Sequence, residues 1–274
     1  MSDIDSSNPV VVKECRYGTM MFNKNDRYVG RALELYGEFS EAEVAFFRAA
    51  IRHGMTVVDV GANIGCHSVA FGRLVGPSGR VLAIEPQKQV YQMLAGNVAL
   101  NHLTHVDTMH GALGHERGTL HVPPVDYAAA GNFGGVSLTD SAEDATEAVH
   151  VDTLDSLELS KCDFIKIDVE GAETSVIRGA TETIRTHGPT IYAENDRPEG
   201  SAELLQHILD LDYRVYWHTP EMFNPDNFAS HQENVFESLV SLNVIALPRS
   251  MPQNLEGLRE IHKADEWPWT FDYV

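Results

Sequence analysis

The run Val57-Val58-Asp59-Val60-Gly61-Ala62-Asn63-Ile64-Gly65-Cys66-His67-Ser68 constrains this chain more than any other stretch. A largely apolar strand enters a glycine turn, and the turn opens a helix. A second apolar strand, residues 80–84, ends in Glu85. Strand, glycine-rich turn, helix and a following acid form the unit with which an α/β sheet holds an adenosine-containing cofactor.

The chain around this unit alternates in the same way. Helices are expected over 64–75, 87–100 and 203–211, and strands over 106–110, 164–168 and 190–194. Strands at 213–217 and 239–247 read as a late antiparallel pair. The alternation implies an α/β fold with a doubly wound, mostly parallel sheet covered on both faces. Three parts are expected: an N-terminal extension of short strands and turns (1–37), a cofactor-binding domain (38–247) and a C-terminal tail (248–274). The tail carries Trp267, Pro268, Trp269 and Phe271, enough aromatic surface to dock. Ser40 and Glu43 have the spacing of a capping box ahead of a helix bearing Val44, Phe47 and Ile51. Residues 123–148 and 218–238 fit no element and read as loops that enclose a ligand.

Charge narrows the partners. The chain has 274 residues, 43% of them hydrophobic, with 20 basic against 40 acidic side chains and a net charge of -20. Such a surface repels phosphate backbones and anionic lipid, so nucleic acid and membranes are not expected partners. Cys15, Cys66 and Cys162 are far apart and lack metal-ligand spacing, which fits reduced thiols. The first residues are acidic without an apolar signal core, so a cytoplasmic location is expected. The residues do not fix the oligomeric state; a homodimer is compatible with them.

Two cofactors compete for the turn. A dinucleotide site wants G-x-G-x-x-G, whereas here Gly61 and Gly65 are separated by three residues with Asn63 between them. Asn tolerates positive φ and so can sit inside a tight turn. Asp59 lies two residues before the first glycine. A carboxylate there suits a positively charged cofactor and would repel a pyrophosphate. S-adenosylmethionine satisfies this, with its ribose hydroxyls on Glu85. Gly111 and Ala112, after the third strand, would lie beside the adenine.

Four separated motifs then carry a family resemblance. They are Val58–Gly65, Glu85-Pro86, Val151-Asp152-Thr153-Leu154-Asp155, and Ile165-Lys166-Ile167-Asp168-Val169-Glu170-Gly171-Ala172-Glu173. In this order, and with Tyr36-Gly37-Glu38 upstream, the chain resembles the FkbM family of S-adenosylmethionine-dependent methyltransferases over roughly residues 36–195. The resemblance implies a class I, Rossmann-like methyltransferase fold with a seven-stranded sheet and a C-terminal antiparallel strand. It implies methyl transfer, commonly to hydroxyls of sugars or natural products. It adds Glu38 to the residues expected at the cofactor.

A second set of acids follows. Asp168 ends a buried strand, and the next strand ends in Glu194-Asn195, so all three are expected on the cofactor's rim. Two carboxylates and an amide oxygen suit Mg²⁺ or Ca²⁺, which could chelate a substrate diol and acidify its hydroxyl. The arrangement is similar to that of metal-dependent catechol and sugar O-methyltransferases. However, the lysine that catechol enzymes carry three residues after the first aspartate is Gly171 here. Among 13 histidines, His218 is the expected base because it follows a strand and opens a loop; His231 is second, and His67 is expected to pack or cap. The expected activity is O-methylation of a sugar, polyketide or similar small acceptor, with Asp168, Glu194, Asn195 and His218 facing it. An amide or amine acceptor and a non-catalytic cofactor-binding module are the alternatives.

Overall fold

The computed structural model describes residues 8–143, 147–252, 255 and 257–268. The chain opens with a hairpin, β1 (Val10–Cys15) and β2 (Gly18–Asn23), followed by α1 (Val29–Tyr36) and α2 (Glu41–Ala50). The first cofactor unit is β3 (Thr56–Val60), α3 (Cys66–Val75) and β4 (Arg80–Glu85), continued by α4 (Lys88–Leu100) and β5 (Val106–His110). Short strands β6 (Ala112–Leu113), β7 (Gly118–Val122) and β8 (Glu147–Asp152) form a separate sheet in the order β6-β8-β7. Then come β9 (Phe164–Ile167), α5 (Glu173–Arg178), α6 (Thr181–His187), β10 (Thr190–Glu194) and α7 (Pro198–Asp210). The chain ends with β11 (Tyr213–His218), β12 (Asn243–Pro248) and β13 (Glu260–Ile261).

The main sheet runs β13-β11-β12-β10-β9-β3-β4-β5. Strands β5, β4, β3, β9 and β10 are parallel; β12 is antiparallel to both β10 and β11. The seven expected strands are therefore present in a class I methyltransferase arrangement, and the two-residue β13 adds an eighth at the β11 edge. Trp267 packs edge-on against Trp217, with ring centroids 5.5 Å apart. Trp269 and Phe271 lie outside the described residues.

Alternation along each strand makes two cores. Val57, Phe164 and Ile245 face one side, where they join Phe22, Leu33, Phe47, Phe71 and Leu94 from the hairpin and α1–α4. Val58, Ile165 and Val244 face the other, against Val176, Ile184, Leu204 and Ile208 from α5–α7. Buried on both faces, these strands carry nearly continuous apolar runs. The extension expected as short strands and turns forms the β1–β2 hairpin and also a helix, α1, and both share the first core through Met20, Phe22 and Leu33. No helix among the described residues is long and apolar enough to cross a membrane.

The site follows from the topology. From β3 the chain builds outward through β4 and β5, then returns to lay β9 and β10 on the other side of β3. Strand order thus reverses between β3 and β9. A crevice opens at the carboxyl ends of such a pair, because the connections diverge from it.

Candidate active site

A cleft of about 440 Å³ occupies that crevice. Its floor is the turn after β3. Gly61 has φ 76°, and a Cβ there would stand 1.8 Å from the Asp168 carbonyl oxygen, so only glycine fits. Asn63 takes φ 51°, the left-handed conformation expected of it. Gly65 has φ 87° but does not reach the cleft; a Cβ there would meet Leu94 on α4 at 2.7 Å. Gly65 thus sets how closely α3 and α4 pack, a correction to its expected place at the cofactor.

Glu85 lies in one wall, 3% exposed. Its Oε2 accepts from the Asn63 backbone N–H and its Oε1 from that of Gln87, both at 2.9 Å. Burial pushes its carboxyl up to about 7. Each oxygen keeps a second lone pair, as two ribose hydroxyls would require. Gly111 and Ala112 line the same end. The residues present fit an adenosyl group: a backbone-lined turn beside a carboxylate with acceptor capacity to spare.

Two acids expected at the cofactor are elsewhere. Asp59 is fully buried beneath the turn, outside the cleft wall. Ser68 Oγ donates to its Oδ2 at 2.6 Å, and Lys166 Nζ stands 3.5 Å from its Oδ1. Asp59 lies mid-strand on β3 beside Lys166 of β9, so its charge is met inside the sheet. Glu38 is 4% exposed and also outside the cleft wall. It accepts from Arg16 Nε (2.6 Å), Asn224 Nδ2 (2.7 Å) and the Phe228 backbone N–H (2.7 Å). It ties the hairpin turn to the 218–238 segment.

The opposite end is acidic. Asp168 lines the cleft with its side chain 41% exposed, held by Lys166 Nζ at 3.2 Å. Glu194 lines it too; its Oε2 is buried without a hydrogen-bond partner among the described residues. Burial, reinforced by Asp168 and then Asp196, pushes the Glu194 carboxyl up to about 11. Asn195 is not in the wall. Successive strand residues point to opposite faces, so the position after Glu194 turns away; its backbone N–H donates to Leu242 O at 2.8 Å. Among the described residues the acids close enough to share a cation are Asp168, Glu170 and Glu194, within 4.8 Å of one another. Glu170 therefore stands where Asn195 was expected. Two of the three already have cationic partners: Asp168 has Lys166, and Glu170 has Arg197.

His218 does not reach the cleft. Its Nδ1 pairs with the Tyr192 hydroxyl at 2.9 Å, and its ring stands 5.7 Å from that of Phe46. The cause is strand order, because β12 inserts between β11 and β10. Asn243 of β12 sits opposite both His218 and Glu194 in register, and Asn243 takes the place on the wall. His231 packs against Tyr36 with ring centroids 5.6 Å apart, also away from the cleft.

Other wall residues carried no expectation of a site role. The spacing of Ser40 and Glu43 predicts a capping box. Ser40 is the N-cap of α2 but is left-handed (φ 48°) and makes no side-chain cap bond. Its partner Glu43 is 6% exposed and faces the cleft, where Asn243 Nδ2 donates to its Oε1 at 3.4 Å. Burial pushes the Glu43 carboxyl up to about 7, against the pull of Lys166. His67 lines the cleft beside it, Nε2 3.8 Å from Glu43 Oε2. Burial, then Lys166, holds this imidazole well below its usual pKa, so it is neutral. The 123–143 stretch supplies a further wall: Gln87 Nε2 donates to Phe133 O at 2.8 Å, placing Gly134 against Asn63.

Comparison with known proteins decides the family. Residues 59–215, more than half of the chain, match the Methyltransferase FkbM domain. The chain belongs to the FkbM methyltransferase family. The matched span runs from β3 into β11 and includes Glu85, Asp168 and Glu194; Glu43 and Asn243 lie outside it. A curated relative in sequence is Methyltransferase sdnD of Sordaria araneosa, 27% identical over 188 residues, 56% of this chain and 71% of that protein. The crystal structure of methyltransferase FkbM from Methylobacillus flagellatus KT is 18% identical with a TM-score of 0.48. That match covers 74% of this chain, which spans about half (50%) of that protein's length. The O-methyltransferase TomG from Streptomyces achromogenes, solved with S-adenosylmethionine, is 12% identical, TM-score 0.44, covering 76% and 78% of the two chains. Family membership brings S-adenosylmethionine as the cofactor, and the adenosyl end of the cleft fits it.

Proposed function

We propose that this chain methylates a hydroxyl oxygen of a small, partly apolar metabolite of the sugar or polyketide kind. The observation that carries the reading is one continuous cleft. Glu85, Gly111 and Ala112 stand at its cofactor end, and Asp168, Glu194, Met222 and Leu239 at the other. At about 440 Å³ it suits a small acceptor beside the cofactor. Bound there, S-adenosylmethionine supplies an electrophilic methyl group on a positively charged sulfur. Asp168, accessible and steadied by Lys166, takes the acceptor's hydroxyl proton as the new O–C bond forms and the C–S bond breaks. Glu194, held protonated at neutral pH, donates a hydrogen bond to a neighbouring oxygen of the acceptor. Met222 and Leu239 exclude water and orient the acceptor's apolar part.

The transfer is drawn without a metal: Lys166 and Arg197 already supply positive charge to two of the three carboxylates that could share a cation. The acidity of the same wall also favours an amine acceptor, which needs less help from a base.

The test is an acceptor panel of sugars, hydroxylated polyketides, amines and amides, with products identified by mass spectrometry. A methyl ether is expected. Asp168→Asn is expected to lower kcat by roughly 10²–10⁴-fold, with S-adenosylhomocysteine affinity within a few-fold of wild type. EDTA is expected to leave the rate intact. Methylated nitrogen would replace the oxygen reading. Cofactor binding with no product on any acceptor would make the chain a binding module. Loss in EDTA restored by Mg²⁺ would return Asp168, Glu170 and Glu194 to the role of ligands.

A further inference from the structure

S-adenosylmethionine carries an ammonium group on its amino-acid end. The carboxylate nearest the turn in sequence, Asp59, is shielded from it by Ser68 and Lys166. The cleft nevertheless contains a buried acid of the right kind. Glu43 lies on the β9 and β12 side of the turn, beside Asn243 and within the field of Lys166. Glu85 lies on the β4 side. Glu85 ends β4, whereas Glu43 reaches the cleft from α2 beside Asn243 of β12, so the two acids meet different parts of the cleft.

The hydrogen-bond donors beside Glu43 are all neutral, the Ser241 and Ser40 hydroxyls and the Asn243 amide. The hydrogen bond from Asn243 is long, at 3.4 Å. Lys166 is closer to Asp59 and Asp168 and is shared among three carboxylates. His67 is neutral, more than nine-tenths buried, and its Nε2 has no hydrogen-bond partner among the described residues. A buried carboxylate and an unpartnered ring nitrogen 3.8 Å apart are expensive to leave unmatched. The site also holds three carboxylates against one lysine, a balance that favours a further cation. An ammonium supplies both a positive charge and three N–H donors. A sulfonium has the charge but no donor.

We propose that Glu43 and His67 form the subsite for the ammonium group of the cofactor's amino-acid end, with Glu43 as its counter-ion. In this arrangement His67 carries its proton on Nδ1 and accepts through Nε2. Lys166 does not bind the ligand; it holds Asp59 and Asp168 and limits the negative charge around Glu43. The inference rests on the cleft being the S-adenosylmethionine site.

Calorimetric binding to the full chain, without acceptor, tests it with three probes. These are S-adenosylhomocysteine, its desamino analogue, and 5′-methylthioadenosine, which lacks the amino-acid end. Wild type is expected to bind S-adenosylhomocysteine at least tenfold more tightly than the desamino analogue. Glu43→Gln is expected to remove that preference, while leaving 5′-methylthioadenosine affinity within twofold. Glu43→Asp keeps the charge and is expected to retain part of the preference; His67→Gln is expected to lose part of it. Equal wild-type affinity for S-adenosylhomocysteine and the desamino analogue would overturn the proposal without any variant. So would a Glu43→Gln protein that keeps the full preference, or one that loses all three probes equally. Wild type that binds none of the probes would instead overturn the cofactor reading of the cleft.

Discussion

Gly61→Ala is expected to lower the thermal midpoint by roughly 8 °C and to abolish measurable S-adenosylhomocysteine binding. Two costs combine. The backbone at this position is left-handed, which an alanine adopts at a cost of about 1–2 kcal/mol. The new methyl group would also stand 1.8 Å from the Asp168 carbonyl oxygen. That oxygen belongs to backbone just beyond β9 and cannot rotate aside, so β3 and β9 must separate, an overpacking cost of about 1–3 kcal/mol. A total near 3 kcal/mol corresponds to several degrees in a domain of this size. The crevice lies between these two strands, so the same displacement opens it. Gly200→Ala is the control: Gly200 is exposed within α7, nothing lies within 4 Å of the added Cβ, and a helical alanine is favoured. It is expected to raise the midpoint slightly. If Gly61→Ala melts and binds like wild type, the turn does not have the close approach described here.

Glu85→Gln is expected to weaken S-adenosylhomocysteine roughly 100-fold, about 3 kcal/mol, the scale of two charge-assisted hydrogen bonds. The substitution is nearly isosteric, yet no orientation of the amide serves. Both carboxylate oxygens accept backbone N–H groups, from Asn63 and Gln87. A glutamine must turn its NH₂ toward one of them and leave that donor unmatched. The ribose loses an anionic acceptor as well. Because 5′-methylthioadenosine also carries the ribose, its affinity is expected to fall in parallel, unlike the selective loss expected at Glu43. Parallel titrations of the two variants therefore separate the two ends of the cleft; an unchanged affinity in Glu85→Gln would remove the ribose assignment.

The same carboxyl groups set an unusual pH dependence. Glu43 and Glu85 are each raised in the folded chain from 4.5 to about 7. A raised folded value means that the unfolded chain gives up its proton first. Their contribution to stability is complete below about 4.5 and is lost as pH rises through about 7. The cofactor-free protein is therefore expected to melt higher at pH 6 than at pH 8. Ligand affinity should run the other way, because hydroxyl and ammonium donors prefer ionised carboxylates. Thermal scans at the two pH values, with and without S-adenosylhomocysteine, check both signs. His67 and His218, both lowered by burial, act in the opposite sense over this range, so the acids are read from how far the pH 6 to pH 8 fall shrinks in Glu43→Gln and Glu85→Gln; no shrinkage in either would contradict their raised values.

How much of this was legible in the residues depends on how local each feature is. The turn at Gly61–Asn63, the acid at Glu85 and the strand end at Asp168 were readable, because each lies within a few residues of a strand terminus and a parallel sheet sends those termini to one edge. His218 was read by the same logic and misplaced, because its strand end does not neighbour the cleft once β12 is inserted. Asn195 failed for a smaller reason, the alternation of side chains past Glu194. Asp59 and Glu38 carry acids at the expected sequence positions, but Lys166 and Arg16 meet them from distant parts of the chain. Glu43 shows the reverse case: a spacing that reads as a helix cap conceals a side chain turned into the cleft.

The alternation of strand and helix, the left-handed turn, the acid that follows it and the family are all legible in the residues. These depend on local conformation and on the period of apolar residues. Which polar side chains share a wall emerges from the packing of distant elements. That choice depends on strand order and on which buried charges find partners within a few ångströms, and the residues that settle it here, Lys166, Asn243, Glu43 and His67, come from four different elements.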